Sequence, residues 1–351
     1  MEAYIEGMCA ISPQRTFSGE NIFGDIIPYE NSHCLKCIEP EYNKYLDPMV
    51  SRRMSRIVKM SIVTALRCLN EAGIGVPDSI ITGTGLGCIE DTEKFLRSLH
   101  VTKEGLLNPT PFINSTHNAI SSGIAIFIKC YGYNNTFSHR GSSFESAMLD
   151  GLMLLNEGSV SNVLVGGADE TTRESVNITG RLGFWKREPV CNLKLLDYDS
   201  KGTLPGEGTA FFLLSRKRSD RSLAKIVSTG TFNNPESYSA TEKRVSAFLA
   251  ANPSPDLIML GLNGDNRTDK VYNELKNGLF SDKPCTYFKH LCGEYDTASS
   301  FALYLAISLL KAGKVNSTIR LDNKPVEKLE SILIYNHLRN CQHSMIMLSS
   351  C

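Results

Sequence analysis

Apolar and polar positions along the chain follow two different periods. Apolar residues at intervals of three and four predict helices at residues 48–70, 116–130, 242–251 and 299–312. Short apolar runs between turn formers predict strands at residues 79–82, 163–165, 209–214, 257–260, 332–335 and 345–348. Residues 1–50 show neither period and are expected to be irregular. Strands that alternate with helices along the whole chain predict a layered α/β fold.

A charged polar segment interrupts this alternation near its middle. Residues 216–222 read RKRSDRS, and the strand–helix series begins again after them. We therefore predict an N-terminal half at residues 1–218 and a C-terminal half at residues 219–351.

Residues 134–158 predict a sharp corner between a strand and a helix. A β-prone run meets the polar turn HRGS at residues 139–142, and an amphipathic helix follows it. Enzymes of the α/β class place nucleophiles at such corners, because the helix N-terminus stabilises developing negative charge. No cysteine occupies the corner in this chain.

Charge and composition exclude several classes of function. The chain has 351 residues, with 37 Lys and Arg against 37 Asp and Glu, so no nucleic-acid surface is expected. The N-terminus has no signal-peptide pattern, and the longest apolar run, residues 301–310, is about half a membrane span. We therefore expect a cytoplasmic protein with no membrane partner.

The cysteines and histidines do not form a metal-binding pattern. Eleven cysteines are scattered without a repeating interval. His33, Cys34 and Cys37 form an H-C-x-x-C cluster, but no second pair completes a tetrahedral site. No metal or cofactor is expected.

Three local motifs favour structural roles. Residues 83–87 (GTGLG) lack the GxGxxG spacing of a dinucleotide site, so close backbone packing is the favoured interpretation. Asp169 follows a Gly-Gly turn, where a carboxylate that accepts backbone hydrogen bonds is more typical than a catalytic one. His117 precedes an apolar helix and is interpreted as a hydrogen-bonded structural residue.

Ser142 is the one candidate nucleophile at the corner itself. A serine nucleophile needs a base within reach, usually a histidine. Ser142 and Glu145 instead fit the capping-box pattern, in which both side chains satisfy amides of the first helical turn. The capping interpretation is favoured, and the nucleophile remains an alternative.

Five segments in the same order resemble the β-ketoacyl synthases, the condensing enzymes of fatty-acid and polyketide assembly. They are RRMSR at residues 52–56, GTGLG at 83–87, GGAD at 166–169, the stretch from Asp197 to GEG at 206–208, and KHLCG at 289–293. The resemblance implies a thiolase-like fold, with two similar α/β halves in a five-layered αβαβα body, normally dimeric.

The same resemblance implies a catalytic set that this chain lacks. Enzymes of the family carry a cysteine at the corner and two histidines that act on a malonyl thioester. The cysteine position falls on Gly141, within about one residue, and the histidine positions fall on Gly261 and Glu294. Only Lys289 is retained. A glycine-rich gating loop has become LRNCQH at residues 338–343.

These departures predict a catalytically silent subunit similar to the chain-length factors of type II polyketide systems. Such a subunit completes the acyl tunnel of an active ketosynthase, with an acyl carrier protein as a further partner. Residues 138–145 suggest an aryl-polyene or flexirubin type of pathway, and apolar residues of the helix at 116–130 are expected to line the dimer seam and the tunnel. His117, Arg339 and Asn340 are the predicted substrate contacts.

Two alternatives stay open. One is an active 3-oxoacyl synthase, acyltransferase or hydrolase that uses Ser142, Cys88 or Cys292, with His117 or His290 as base. The other is a homodimer that binds acyl groups or carrier protein without chemistry. What surrounds Gly141, an apolar tunnel or a packed core, would separate these hypotheses.

Overall fold

The computed structural model of the protein describes residues 2–19, 22–103 and 105–351. Its strands are β1 (Ala3–Ile11), β2 (Ser79–Gly83), β3 (Tyr133–Phe137), β4 (Asn162–Asp169), β5 (Gly208–Ser215), β6 (Ala224–Asn233), β7 (Leu257–Leu260), β8 (Cys285–Tyr287), β9 (Ser331–Leu338) and β10 (Gln342–Ser349). Its helices are α1 (Pro48–Ser51), α2 (Arg56–Ala72), α3 (Ile89–Val101), α4 (Pro109–Asn114), α5 (Ala119–Ile128), α6 (Ser143–Glu157), α7 (Arg173–Arg181), α8 (Tyr238–Ala250), α9 (Asp269–Asn277), α10 (Lys289–Cys292) and α11 (Ala298–Ala312).

The ten strands form two sets of five with the same internal order. The sheet runs β3-β2-β4-β5-β1-β6-β10-β9-β7-β8. From the centre of the sheet outward, the order is β1-β5-β4-β2-β3 in one set and β6-β10-β9-β7-β8 in the other. Strand β1 therefore corresponds to β6, and β3 corresponds to β8. The two sets meet where residues 3–5 of β1 pair antiparallel with residues 224–226 of β6.

Helices cover both sets of strands and also lie between them. The core cluster that contains residues of α6 and α11 includes side chains from β1, β5, β9 and β10, so these two helices form the central layer. Helices α2 and α5 pack on the other face of the N-terminal strands, and α8 and α9 pack on the C-terminal strands. The predicted five-layered αβαβα class is confirmed.

Residues 3–11 form a central strand, so the irregularity predicted for residues 1–50 is wrong for this part of the segment. Strand β1 lies between β5 and β6, and it is buried along nearly its whole length. A strand that is buried on both faces loses the alternation of polar and apolar residues that reveals other strands. The apolar run AYIEGMCAI therefore shows no period of two.

Two predicted helices have different bounds. Residues 48–70 form two helices, because the chain becomes extended at Ser55, just before α2. The helix predicted at 116–130 is shorter and ends where Lys129 adopts a left-handed conformation. Its buried residues Ile120 and Ile124 pack in the cluster that α5 shares with α2, so they face the chain's own core.

The described helices are all too short or too polar to cross a bilayer. Helix α11 is buried on nearly all sides in the central layer, which explains why its sequence is apolar all round.

Candidate functional site

The corner predicted from the sequence joins β3 to α6. Strand β3 ends at Phe137, a single 3-10 turn covers residues 140–142, and α6 begins at Ser143. The strained residue of the turn is Arg140, whose φ of 55° lies in the left-handed region, and not Gly141. A nucleophile at a strand–turn–helix corner sits on such a strained residue, which presents its side chain outward. Here that residue is an arginine, whose guanidinium cannot attack a thioester.

The hairpin between β9 and β10 fills the space beside Gly141. A Cβ atom on Gly141 would stand 2.5 Å from the Cβ of Leu338 and 3.3 Å from Oε1 of Gln342. The backbone N–H of Gly141 donates to Gln342 Oε1 at 2.9 Å, and Gln342 Nε2 donates to the carbonyl of His139 at 2.8 Å. The space beside Gly141 is therefore occupied by Leu338 and Gln342, and this amide of the corner is already hydrogen-bonded.

The tip of that hairpin is a tight turn. Arg339 and Asn340 have φ values of 50° and 55°, and the N–H of Cys341 donates to the carbonyl of Leu338 at 2.9 Å. Two successive left-handed residues form the type I′ geometry that matches the twist of a hairpin. The segment that replaces the glycine-rich loop is thus a rigid connection between paired strands.

The predicted capping box at Ser142 and Glu145 is wrong. The Ser142 hydroxyl makes no hydrogen bond within the described chain. Ser142 is the residue before α6, but no side chain caps the helix there. The Ser143 hydroxyl instead closes the preceding turn, because it accepts from the N–H of His139 at 2.8 Å and donates to the carbonyl of Arg140 at 2.6 Å.

Glu145 is a buried carboxyl group beneath the corner. The residue is 1% exposed, and neither carboxyl oxygen has a hydrogen-bond partner among the described residues. Burial raises its pKa, while the hydroxyls of Ser299 and Ser344 and the charge of Lys289 act in the opposite direction. A raised pKa shifts the titration of an acid toward the neutral form.

Lys289 and Glu294 form a closed, buried ion pair. Lys289 Nζ lies 2.7 and 3.0 Å from the two carboxylate oxygens of Glu294 and 3.3 Å from the carbonyl of His337. Asn263 Nδ2 donates to Glu294 at 2.6 Å. Because each charge already has its partners, neither group is free to polarise a substrate carbonyl.

The third predicted position, Gly261, is also enclosed. A Cβ atom there would overlap Oδ1 of Asn336 and would stand 2.6 Å from the hydroxyl of Tyr272. No side chain fits at this position without moving a buried neighbour. Asp269 follows in the same segment and accepts hydrogen bonds from the N–H groups of Asn263 and Gly264. Burial raises the pKa of Asp269 to about 7, although these hydrogen bonds act in the opposite direction.

Two histidines of the C-terminal hairpin lie in the same region, and the sequence alone did not mark His337. His337 stacks on the Tyr272 ring at 4.1 Å, and its Nδ1 accepts from the N–H of Asn340 at 3.2 Å. Burial, followed by the nearby His343 and Lys289, lowers the pKa of His337 well below its usual value. His343, with its pKa lowered by burial to about 4, bonds the hydroxyl of Tyr335 at 2.8 Å.

The alternative nucleophiles lack an activating group. Ser142 Oγ is buried and has no histidine within hydrogen-bonding distance in the described chain. Burial raises the pKa of the Cys88 thiol to about 12 and that of Cys292 well above its ordinary value, so neither is a thiolate. His290 is buried against the Tyr287 ring, and burial lowers its pKa to about 3, which makes it a weak base.

The predicted substrate contacts occupy two different places. Arg339 and Asn340 lie at the exposed hairpin tip beside the corner. His117 is exposed before α5, and its backbone stands against Gly87, with no hydrogen bond from its ring among the described residues. The His117 ring also stands against Gly87, where its Cγ and Cδ2 would lie 3.2 and 3.3 Å from an added Cβ, so the structural interpretation of His117 stays a prediction.

The glycine turn and Asp169 have the structural roles expected of them. A Cβ on Gly83 would stand 2.5 Å from the backbone of Ser143, and one on Gly85 would overlap the carboxylate of Asp296. Asp169 accepts from the N–H groups of Gly85 and Thr297 at 2.7 and 2.8 Å. Burial and the neighbouring Asp296 raise the pKa of Asp169 to about 6. This carboxylate joins the glycine turn to the start of α11, directly behind the corner.

The family comparison agrees with this geometry over part of the chain. Residues 33–175 match the family described as "Beta-ketoacyl synthase, N-terminal domain". That range includes the first glycine turn, the corner and Asp169. A search of the curated proteins finds no match to this sequence.

Solved structures extend the similarity over the full length. The ishigamide ketosynthase/chain length factor has a TM-score of 0.80 at 15% identity, covering 100% of this chain and 99% of that chain. A ketosynthase (ApeO) in complex with its chain length factor (ApeC), from Xenorhabdus doucetiae, has a TM-score of 0.78 at 16% identity, covering 99% and 98%. AntDE:AntF, a type II PKS acyl-carrier protein in complex with its ketosynthase, has a TM-score of 0.76 at 13% identity, covering 100% and 99%.

These similarities confirm the resemblance that the sequence motifs predicted. The chain has the fold of ketosynthases and chain length factors throughout, and its N-terminal part matches the β-ketoacyl synthase family.

Proposed function

We propose that this chain, which has the β-ketoacyl synthase fold, is a non-condensing subunit that pairs with an active ketosynthase. It would shape the acyl-chain tunnel at their interface, in fatty-acid or polyketide assembly of the aryl-polyene type. An acyl carrier protein would deliver the chain to the pair. The observation that carries the proposal is the filled corner, where Leu338 and Gln342 occupy the space beside Gly141.

The groups that condensation needs are absent or blocked at each position of the site. Covalent condensation needs a nucleophile, and the strained residue of the corner is Arg140. Stabilising an enolate needs donors that are free to face the thioester oxygen. Lys289 is instead saturated by Glu294, and Gly261 is enclosed by Asn336 and Tyr272.

An exposed sheet edge offers a surface for the proposed partner. Strand β3 is the outer strand of the N-terminal set and pairs only with β2 among the described strands. The flanking segments expose large apolar side chains: Ile126 at 79%, Tyr131 at 93%, Tyr133 at 45%, Leu149 at 40% and Met153 at 45%. An unpaired edge beside apolar side chains suits the addition of a strand from another chain. Two of the similar solved structures contain a ketosynthase together with a chain length factor. This supports the proposal that the present chain pairs with a ketosynthase.

Co-expression with a cysteine-containing ketosynthase from the same genome tests the pairing. We expect a stable heterodimer, and we expect Ile126→Asp to weaken it about 30-fold or more, since a charge buried at an apolar interface costs ~2 kcal/mol or more. Ile178→Asp on α7 is the matched control, because Ile178 is also exposed, at 63%. A persistent homodimer, or equal weakening by both substitutions, would contradict the heterodimer.

Incubation with an acyl-loaded carrier protein, followed by intact-mass measurement, tests catalytic silence. We expect no covalent acyl adduct on this chain and no malonyl-dependent product, because no activated nucleophile lies at the corner. The paired synthase serves as the positive control for acylation. An adduct that Ser142→Ala removes would support the alternative enzyme and reject the silent subunit.

A further inference from the structure

The turn between β3 and α6 presents one donor and one acceptor to the same side-chain amide. The backbone N–H of Gly141 donates to Gln342 Oε1 at 2.9 Å, and Gln342 Nε2 donates to the backbone carbonyl of His139 at 2.8 Å. A primary carboxamide carries an acceptor and a donor side by side, so it matches both groups at once. A carboxylate would place its second oxygen against the His139 carbonyl, and an ester or thioester has no donor for that carbonyl. The pair therefore selects a primary amide by hydrogen bonding.

The turn holds this donor and acceptor through contacts that do not involve Gln342. The Ser143 hydroxyl accepts from the N–H of His139 at 2.8 Å and donates to the carbonyl of Arg140 at 2.6 Å. The carbonyl of His139 also accepts from the N–H of Ser142 at 3.2 Å. The two groups that contact the amide are therefore preorganised by the turn itself.

The charged groups around the turn balance one another. Arg140 Nη1 contacts Asp296 Oδ2 at 3.3 Å. Burial raises the pKa of Asp296, and the charges of Arg140 and Arg339 lower it. Asp169 is the second carboxyl group here, and burial and the neighbouring Asp296 raise its pKa. When all four groups are ionised they carry no net charge, so the surroundings suit a neutral ligand.

Gln342 reaches the turn from the first position of β10. Its backbone pairs with Leu338 of β9 and Asn233 of β6, and these strand pairings do not use its side chain. Gln342 is half-buried, and its side-chain hydrogen bonds within the described chain are the two with the turn. Removing the amide alone would therefore leave the strands paired and the donor and acceptor of the turn open to a solute.

We propose that the turn at residues 139–141 is a binding site for a primary carboxamide and that Gln342 is its built-in occupant. The hairpin of β9 and β10 acts as a plug, because the ligand belongs to the same chain and cannot diffuse away. The absence of a side chain at Gly141 is part of the site, since a Cβ there would stand 3.3 Å from Gln342 Oε1. This assignment rests on the contacts of the turn and does not depend on the proposed partner.

Titration of Gln342→Ala with acetamide, followed by NMR at the Gly141 amide, tests the site. We expect saturable shifts with an affinity at least tenfold higher than in the wild type, where the tethered Gln342 amide competes for the same two groups. N,N-dimethylacetamide should bind about fivefold more weakly or worse, because it has no N–H to donate to the His139 carbonyl. Asn233→Ala is the matched control, because it removes an exposed primary amide from the cross-strand neighbour of Gln342 and leaves the site filled.

Four outcomes would overturn the site: no saturable binding by Gln342→Ala, equal binding by the wild type, equal binding by Asn233→Ala, or equal affinity for N,N-dimethylacetamide. If Gln342→Ala does not fold, Gln342→Ser decides by the same readout. Nuclear Overhauser contacts in the wild type between the Gln342 side-chain amide protons and the Gly141 N–H are a second measurement, and their absence would also reject the proposal. None of these measurements includes a ketosynthase, so their failure is distinguishable from a failure of the proposed partner role.

Discussion

Replacing Glu294 by glutamine is expected to lower the free energy of unfolding by about 3–5 kcal/mol, because it leaves the Lys289 charge buried without its counterion. Lys289 is 0% exposed, and Glu294 supplies both of its shortest contacts, at 2.7 and 3.0 Å. The remaining acceptor, the carbonyl of His337 at 3.3 Å, is too weak to replace a carboxylate. Urea denaturation at pH 7, with the midpoint and slope compared with those of the wild type, measures the change.

The double variant Lys289→Met with Glu294→Leu is the control for this ion pair. Removing both charges together leaves no buried ion, so its stability should return to within about 1–2 kcal/mol of the wild type. Equal stability of Glu294→Gln and the wild type would show that water reaches Lys289. Placing histidine at position 294 should not create condensing activity, because Gly261 and the corner remain enclosed.

Replacing Glu207 by glutamine is expected to cost about 3 kcal/mol at pH 7, with a difference from the wild type that shrinks in acid. The Glu207 carboxylate is fully buried and accepts from Arg56 Nη2 and Nη1 at 2.6 and 2.9 Å. These hydrogen bonds, with the charges of Arg56 and Lys36, outweigh burial and lower the pKa of Glu207 to about 2. This depressed pKa stabilises the fold above the unfolded pKa of about 4.3, and the gain is lost as pH falls toward 2.

Paired denaturation curves of the wild type and Glu207→Gln between pH 7 and pH 3 measure this effect. The difference in free energy of unfolding should fall to about half by pH 3, since the unfolded chain is protonated there and the native carboxylate is not. Glu330→Gln is the control, because Glu330 is an exposed carboxylate paired with Lys328 and should change stability by less than about 0.5 kcal/mol. A difference that stays constant across this range would contradict the assigned cause.

Glu207 also shows why the sequence motifs indicate the fold and not the catalytic activity. The GEG segment places this carboxylate immediately before β5, where it meets Arg56 of the RRMSR segment. The two motifs are separated by about 150 residues, yet they form one ion pair that holds the start of α2 against the sheet. Their order along the chain therefore reports the fold, and the fold persists whether or not the corner is reactive.

Other predictions from the sequence failed for identifiable reasons. Strand β1 was missed because burial on both faces removes the alternating pattern. The capping box at Ser142 and Glu145 did not form, although Ser142 does precede α6, because both side chains are buried away from the amides of the first helical turn. Arg140 was missed as the strained residue because its φ depends on how the turn closes against Leu338 and Gln342.

The sequence by itself determined most of the strands and helices, the layered class, the resemblance to β-ketoacyl synthases and the lack of a cysteine at the corner. These features depend on local periodicity and residue identity, which can be read along the chain. Only the tertiary structure decided that the space beside Gly141 is filled and that Lys289 is paired with Glu294. The contact that closes the corner joins Gly141 to Gln342 across 201 positions, and no local pattern encodes which distant side chain occupies a given space.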